Sequence, residues 1–131
     1  GGDSHFQLAS LARTARLLRS LPGSDVTGAQ PTRLVDGPRV ELRMIVGHRT
    51  VARAQAGVSG DWVGLHGLEV DPSLRRRGLA RELLAEIVDW AGEQGVTTLW
   101  LHTAVDNAPA LALHESLGFL THHSLRYLTP T

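Results

Sequence analysis

The residues most evidently equipped for chemistry lie in one run, Leu68-Glu69-Val70-Asp71-Pro72-Ser73-Leu74-Arg75-Arg76-Arg77-Gly78-Leu79-Ala80-Arg81. An apolar, strand-like stretch ends in a short loop, and the loop opens a segment with helical spacing of apolar residues. The first turn of a helix leaves backbone N–H groups unpaired and carries partial positive charge. Phosphate is the natural partner of such a terminus, and Gly78 would let it approach the backbone closely. Ala80 keeps the first turn slim, and Arg75, Arg76, Arg77 and Arg81 add charge. Taken alone, the arginine triplet also reads as the solvated start of a helix. A second resource is histidine, of which the chain has 7. His66, His102 and His114 sit within or beside the periodic segments, and imidazole can take a proton from an ammonium near neutral pH.

The elements that would carry these residues follow from periodicity. Ser4 and Gln7 have capping-box spacing, and Leu8, Leu11, Ala15 and Leu18 then fall on one helical face. A helix is therefore expected at the N-terminus, stopped by Pro22-Gly23. Residues 22–38, rich in proline and glycine, read as loop or linker. Val40, Leu42, Met44 and Val46 alternate with Glu41, Arg43 and Ile45 as a strand, and Gly47-His48 suits a tight hairpin. A second strand runs from about Arg49 to Gly57. After the turn Ser59-Gly60-Asp61, a third spans Trp62 to Val70, giving an antiparallel meander. Leu79, Leu83, Ile87 and Trp90 mark a helix closed by Gly92 to Gly95, and Thr97 to Thr103 forms a short strand after it. This strand–helix–strand crossover sets its flanking strands parallel or side by side. Asn107 can cap a last helix, with Pro109 in its first turn and Gly118 at its end. Ser124 to Leu128 reads as an edge strand.

Composition narrows the functional classes. A chain of 131 residues and 14.1 kDa is one domain on length, and at this size folding buries roughly two-thirds of the unfolded surface without metal or disulfide staples. No apolar run approaches the roughly 20 residues of a membrane helix. With no cysteine, thiolate zinc sites, disulfides and cysteine nucleophiles are excluded. All 13 basic residues are arginine, which excludes a lysine Schiff base or a phosphate-binding lysine. They balance 13 acidic ones, which argues against a nucleic-acid-coating protein. Gly1 to His5 lacks the basic-then-apolar pattern of a signal peptide.

Val70-Asp71-Pro72 followed by Arg75-x-x-Gly78-x-Ala80 resembles the acetyl-CoA signature of the GCN5-related N-acetyltransferases (GNAT). The stretch from Thr98-Leu99-Trp100-Leu101 through Asn107-Ala108-Pro109-Ala110-Leu111-Ala112-Leu113-His114-Glu115-Ser116-Leu117-Gly118-Phe119 is similar to that family's later motif. The likeness covers about residues 40–128 and is strongest to the ribosomal-protein-alanine N-acetyltransferase branch. It implies an α/β domain of the GNAT-type acetyltransferase fold, a mixed and mostly antiparallel sheet with flanking helices. Residues 1–38 would be an N-terminal helix and linker, and 39–131 the acetyl-CoA-binding core. The pyrophosphate of acetyl-CoA would sit on backbone N–H groups of Arg76, Arg77, Gly78, Leu79, Ala80 and Arg81, beside Arg75. The pantetheine arm would pair like an extra strand with Leu68, Glu69 and Val70, and a backbone N–H near Leu68 would serve as oxyanion donor. Asn107 would stand close to the pantetheine or thioester, while also capping its helix.

The departures from the family pattern concern the catalytic groups. The family usually has a tyrosine at the position of His114, where it protonates the leaving thiolate, and the resembling branch has a glutamate base at the position of His102. His66 matches a histidine that serves as base in some amine-acetylating members. All three are candidate catalytic residues, and His114 is a candidate cofactor contact as well. Each is also readable as a half-buried polar residue, and Trp62 and Trp90 as core or cleft wall. His122-His123 are neighbours on a strand and so face opposite sides, which argues against a metal pair.

The expected activity is transfer of acetyl from acetyl-CoA, as co-substrate and without a metal, to a primary amine in a ternary complex. The acceptor would be a protein N-terminus or a small molecule, with no nucleic acid and no membrane involved, in the cytoplasm. A non-catalytic acyl-CoA-binding or regulatory module of a larger protein is the rival reading, supported by the missing tyrosine. The family begins with a strand and two helices, of which one helix is recognisable here. That suggests either a piece of a longer chain or a homodimer paired through an exposed strand edge.

Overall fold

A computed structural model describes residues 4–124. Among these residues, seven strands form one sheet in the order β2-β3-β4-β5-β6-β1-β7. They are β1 (Ser4–Ser10), β2 (Gln30–Asp36), β3 (Arg39–Val46), β4 (Arg49–Ser59), β5 (Trp62–Val70), β6 (Thr98–Ala104) and β7 (Leu120–Ser124). Three helices among the described residues accompany them: α1 (Leu11–Arg19), α2 (Leu79–Glu93) and α3 (Ala108–Ser116). All strand pairs are antiparallel except β5 with β6, which is parallel, as a crossover through α2 requires.

Two expectations about the N-terminal third are corrected. Ser4 does not cap a helix. Ser4–Ser10 is a strand inserted between β6 and β7, and the helix cap is Ser10, whose side chain accepts from Arg13 N–H at 3.3 Å. The period-two pattern was masked because the inward positions hold Gln7 and Ala9, both buried, while Phe6 and Leu8 on the other side are apolar too. The second correction is β2, within a stretch read as linker. It pairs along its length with β3, from Gln30 opposite Ile45 to Asp36 opposite Arg39. Proline is tolerated there because β2 is an edge strand. The edge of β3 is thus covered within the chain, and the reason for expecting a dimer through it falls away. At the other end β7 runs Leu120–Ser124, and residues 125–128, where a last strand was expected to continue, lie outside the described residues.

The core lies between one sheet face and α2. Leu79, Leu83, Leu84, Ile87, Val88, Trp90 and Ala91 are buried on the helix. They meet Val40, Leu42 and Met44 of β3 and the row Ala52, Ala54 and Ala56 of β4, all buried in the same cluster. The alanines let α2 settle close to the sheet, which fixes where the start of α2 stands relative to β5. Trp90 is a core residue, 2% exposed, whereas Trp62 is 41% exposed. Among the described residues no helix is long and apolar enough to cross a membrane.

Candidate active site

β5 and β6 are paired only at their starts, through Trp62–Thr98, Val63–Leu99 and Gly64–Trp100. Beyond that, β5 continues to Val70 and β6 to Ala104 without pairing to each other, so the sheet opens between them. Two glycines shape the opening. At Gly64 the backbone lies under the Trp100 indole, and a Cβ there would stand 2.4 Å from Trp100 Cζ2. At Gly67, φ is 61°, and the β4–β5 register slips between Arg53–Glu69 and Gln55–His66, leaving Gly67 and Leu68 opposite the single residue Ala54. A bulge with glycine in the left-handed conformation bends a strand and turns its backbone groups out of the ladder. Leu68, 38% exposed, Glu69 and Val70 therefore carry their backbone along the mouth of the opening. The Glu69 carboxylate is engaged elsewhere, 3.1 Å from Arg53 Nε.

The phosphate-loop residues follow at once. Asp71 caps a 3-10 turn, Pro72–Leu74, by accepting from Ser73 N–H at 2.9 Å. The Ser73 hydroxyl, donating to the same oxygen at 2.7 Å, that N–H and Arg49 beside it lower the Asp71 carboxyl pKa. Arg76 then has φ 65° and Gly78 φ 89°. Left-handed conformations alternating along a short segment curl successive N–H groups toward a common point, which is how backbone cradles anions. A non-glycine residue held there costs about 1 kcal/mol or more, so Arg76 is held against its own preference. Gly78 is the N-cap of α2 and supplies no side-chain cap, so the first N–H groups of the helix lack a side-chain acceptor from the capping residue. Arg75 and Arg76 are exposed; Arg77 is tied to Asp25 (Nε to Oδ1 2.7 Å) in the loop after α1. That loop also clasps α2 through Ser24 N–H donating to Glu82 Oε1 at 2.6 Å. Leu79 is a core residue, so only its backbone can face a ligand, and Ala80 and Arg81 are half-buried. Asn107 caps α3, accepting from Ala110 N–H at 3.3 Å.

The three histidines separate into two sites. His66 and His102 lie on the sheet face away from the helices, each edge-on to Trp100, with ring centroids 5.5 Å from the indole in both cases. Phe6 of β1 closes the group, 5.3 Å from the His102 ring and 6.0 Å from Trp100. Burial, and the proximity of His66, hold the His102 pKa below the usual imidazole value. The shift favours the neutral ring, the form that can accept a proton. His114 stands on the helix-covered side, 5% exposed, with Nδ1 3.1 Å from Thr103 Oγ1 and 3.2 Å from Gln7 Oε1. Burial alone pushes its pKa down to about 4. Neutral imidazole at pH 7 leaves His114 poorly suited to the acid role that the resemblance implied. Gln7, Gly64, Gly67, Phe6 and Thr103 were not among the expected site residues. The glycines inside the β5 run were the one available signal.

An open hollow of about 660 Å³ spans β2–β5, with His66, Asp36, Arg39, Glu41 and Gln55 in its lining. Among the described residues no group of three or more His, Cys, Asp or Glu side chains could hold a metal ion.

Residues 35–119 match the acetyltransferase (GNAT) family. The chain belongs to that family. It is similar to the [ribosomal protein bS18]-alanine N-acetyltransferase of Salmonella typhimurium, 42% identical over 80 residues, which are 61% of this chain and 54% of the relative. The chain thus spans about half the length of the curated relatives it matches, with 54% and 40% covered in two of them. Among solved structures, the Escherichia coli ribosomal-protein-S18-alanine N-acetyltransferase aligns with TM-score 0.59 and 26% identity, covering 86% of this chain and 76% of that one. An aminoglycoside N-acetyltransferase solved in complex with CoA aligns with TM-score 0.63 and 24% identity over 67% of this chain and 73% of that one. The latter likeness shows the fold alone.

Proposed function

We propose that this domain transfers acetyl from acetyl-CoA to a primary amine by direct attack in a ternary complex. The observation that carries the reading is the juxtaposition of two features: the opening between β5 and β6, and the curled Arg75–Gly78 backbone at the start of α2. The residues fit the co-substrate. Unpaired N–H groups and Arg75, Arg76 and Arg81 suit the pyrophosphate, and the free edge of Leu68 to Val70 suits the amide-bearing pantetheine arm. α2 covers one sheet face while His66, Trp100 and His102 occupy the other. A thioester reaching through the opening would therefore meet its amine on the imidazole side.

There His66 or His102 takes a proton from the ammonium. The amine nitrogen bonds to the acetyl carbon, a backbone N–H near Leu68 steadies the oxyanion, and the C–S bond breaks. With His114 neutral, water protonates the departing thiolate. Names of the relatives favour a protein N-terminus as acceptor and a cytoplasmic setting, with a small amine as the other class. A second reading, a module that binds acyl-CoA without turnover, draws on the same neutral His114 where the family has tyrosine.

Thiol release on mixing with acetyl-CoA and a panel of N-terminal peptides and small amines tests the proposal. Amine-dependent release, one thiol per acetylated product, is expected. Tight acetyl-CoA binding with no release for any amine would favour the second reading.

A further inference from the structure

Gln7, Thr103 and His114 form a buried polar group against the inner sheet face, 2%, 4% and 5% exposed. They come from β1, β6 and α3, so the distant β1 joins two consecutive elements in one cluster to which the steps above give no role. With Gln7 Oε1 turned toward Thr103, their contacts leave one consistent assignment of protons. Thr103 Oγ1 donates to Gln7 Oε1 at 2.8 Å, and its single hydrogen is thereby spent. His114 Nδ1 lies 3.1 Å from that hydroxyl oxygen and 3.2 Å from the same Gln7 Oε1. Both atoms act as acceptors toward the ring, so Nδ1 must carry a hydrogen for either contact to be attractive. At the other end of the amide, Gln7 Nε2 donates to Thr121 Oγ1 at 3.3 Å. Around the ring stand Gln7, Thr103 and Phe119, the last at 5.5 Å between centroids, and none of these carries a charge.

We propose that Gln7 and Thr103 are positioning residues that hold His114 in the tautomer with its proton on Nδ1, so that any contact His114 makes with the co-substrate is through an Nε2 lone pair. The inference rests on the acetyltransferase reading for its functional meaning. A tyrosine at this position offers a hydroxyl that can donate. The histidine, so fixed, can only accept: an N–H of the bound co-substrate, or a proton that enters and leaves at Nε2. The polar pair behind it orients the ring as the third member of a catalytic triad orients its imidazole.

Nitrogen-15 spectroscopy of the whole chain with labelled histidine tests this directly above pH 7. The unmodified protein should show His114 with Nδ1 protonated and Nε2 bare. A protonated Nε2 would mean that Gln7 turns its NH2 group toward the ring, and would overturn the proposal. In Gln7→Leu the Thr103 hydroxyl loses its acceptor and turns its hydrogen to Nδ1, so the major tautomer should switch to Nε2–H, with a fall in kcat. If Gln7→Leu does not fold, Thr103→Val decides the same point: Gln7 Oε1 still accepts from Nδ1, so the Nδ1–H tautomer should persist, and a switch there refutes the assignment. A switched tautomer in Gln7→Leu with unchanged kcat would refute the positioning role. Lack of turnover in the unmodified protein would instead sink the acetyltransferase reading, while the spectrum still decides the tautomer.

Discussion

Replacing His114 with phenylalanine should make the fold less sensitive to acid. The imidazole is buried among uncharged groups, and its pKa falls from 6.5 to about 4. The folded state therefore refuses a proton that the unfolded chain accepts. For a base with a depressed native pKa, stability is fully present above about pH 6.5. It is lost as pH falls toward 4, because the unfolded state binds more protons in that window. The whole difference corresponds to roughly 3 kcal/mol, and about 2.5 kcal/mol of it should be lost between pH 7.5 and pH 4.5. Phenylalanine keeps the ring volume and leaves Gln7 Oε1 satisfied by Thr103. The variant should thus lose about 1 kcal/mol at pH 7.5, where the Nδ1–H bond is missing, yet gain on the unmodified chain as pH drops. Urea unfolding of both proteins at the two pH values gives the double difference, in which the shared titration of surface carboxylates cancels. With a urea slope of about 1.5 kcal/mol/M, the gap between the two midpoints should move by more than 1 M. Equal acid sensitivity in the two proteins would refute the burial argument for His114.

Three further outcomes follow from the site. Gly78→Glu places a carboxylate where phosphate is expected, with a Cβ 2.9 Å from Arg81 Nη2 and φ 89°; calorimetry should show at least about tenfold weaker acetyl-CoA binding, since each 1.4 kcal/mol is a factor of ten. Gly64→Ala pushes against Trp100 Cζ2 at 2.4 Å; it should cost about 1–3 kcal/mol in urea unfolding and raise KM for the amine while leaving that for acetyl-CoA unchanged. If His102 is the base, its lowered pKa keeps it neutral into mild acid. The acid limb of kcat/KM should then lie below pH 6.5 in the unmodified protein, and His102→Gln should lower kcat about a hundredfold.

The meander, the crossover helix and the loop at Gly78 were legible because each combines a regular period with its own punctuation. In β3 the alternation is clean, in α2 the apolar stripe is continuous, and both end at glycine. β1 and β2 were not legible, for different reasons. β1 buries glutamine, the polar residue that a pattern of apolar alternation assigns outward. What makes that burial tolerable is a bonding partner, Thr103, some 96 positions away. β2 carries Pro31 and sits at the sheet edge, and its strand character comes from pairing with β3 rather than from its own composition. The same holds within the site. His66 and His102 could be named from a motif, but their grouping around Trp100 depends on Gly64 admitting the indole. The separation of His114 depends on which face of β6 Thr103 occupies, a matter of register.

The most direct test is a crystal structure of the chain with acetyl-CoA. It should show pyrophosphate oxygens within hydrogen-bond distance of backbone N–H groups between Arg76 and Arg81, the pantetheine along Leu68 to Val70, and the thioester emerging between β5 and β6 toward Trp100, His66 and His102. Acetyl-CoA bound anywhere else on the domain, with that opening closed, would contradict it.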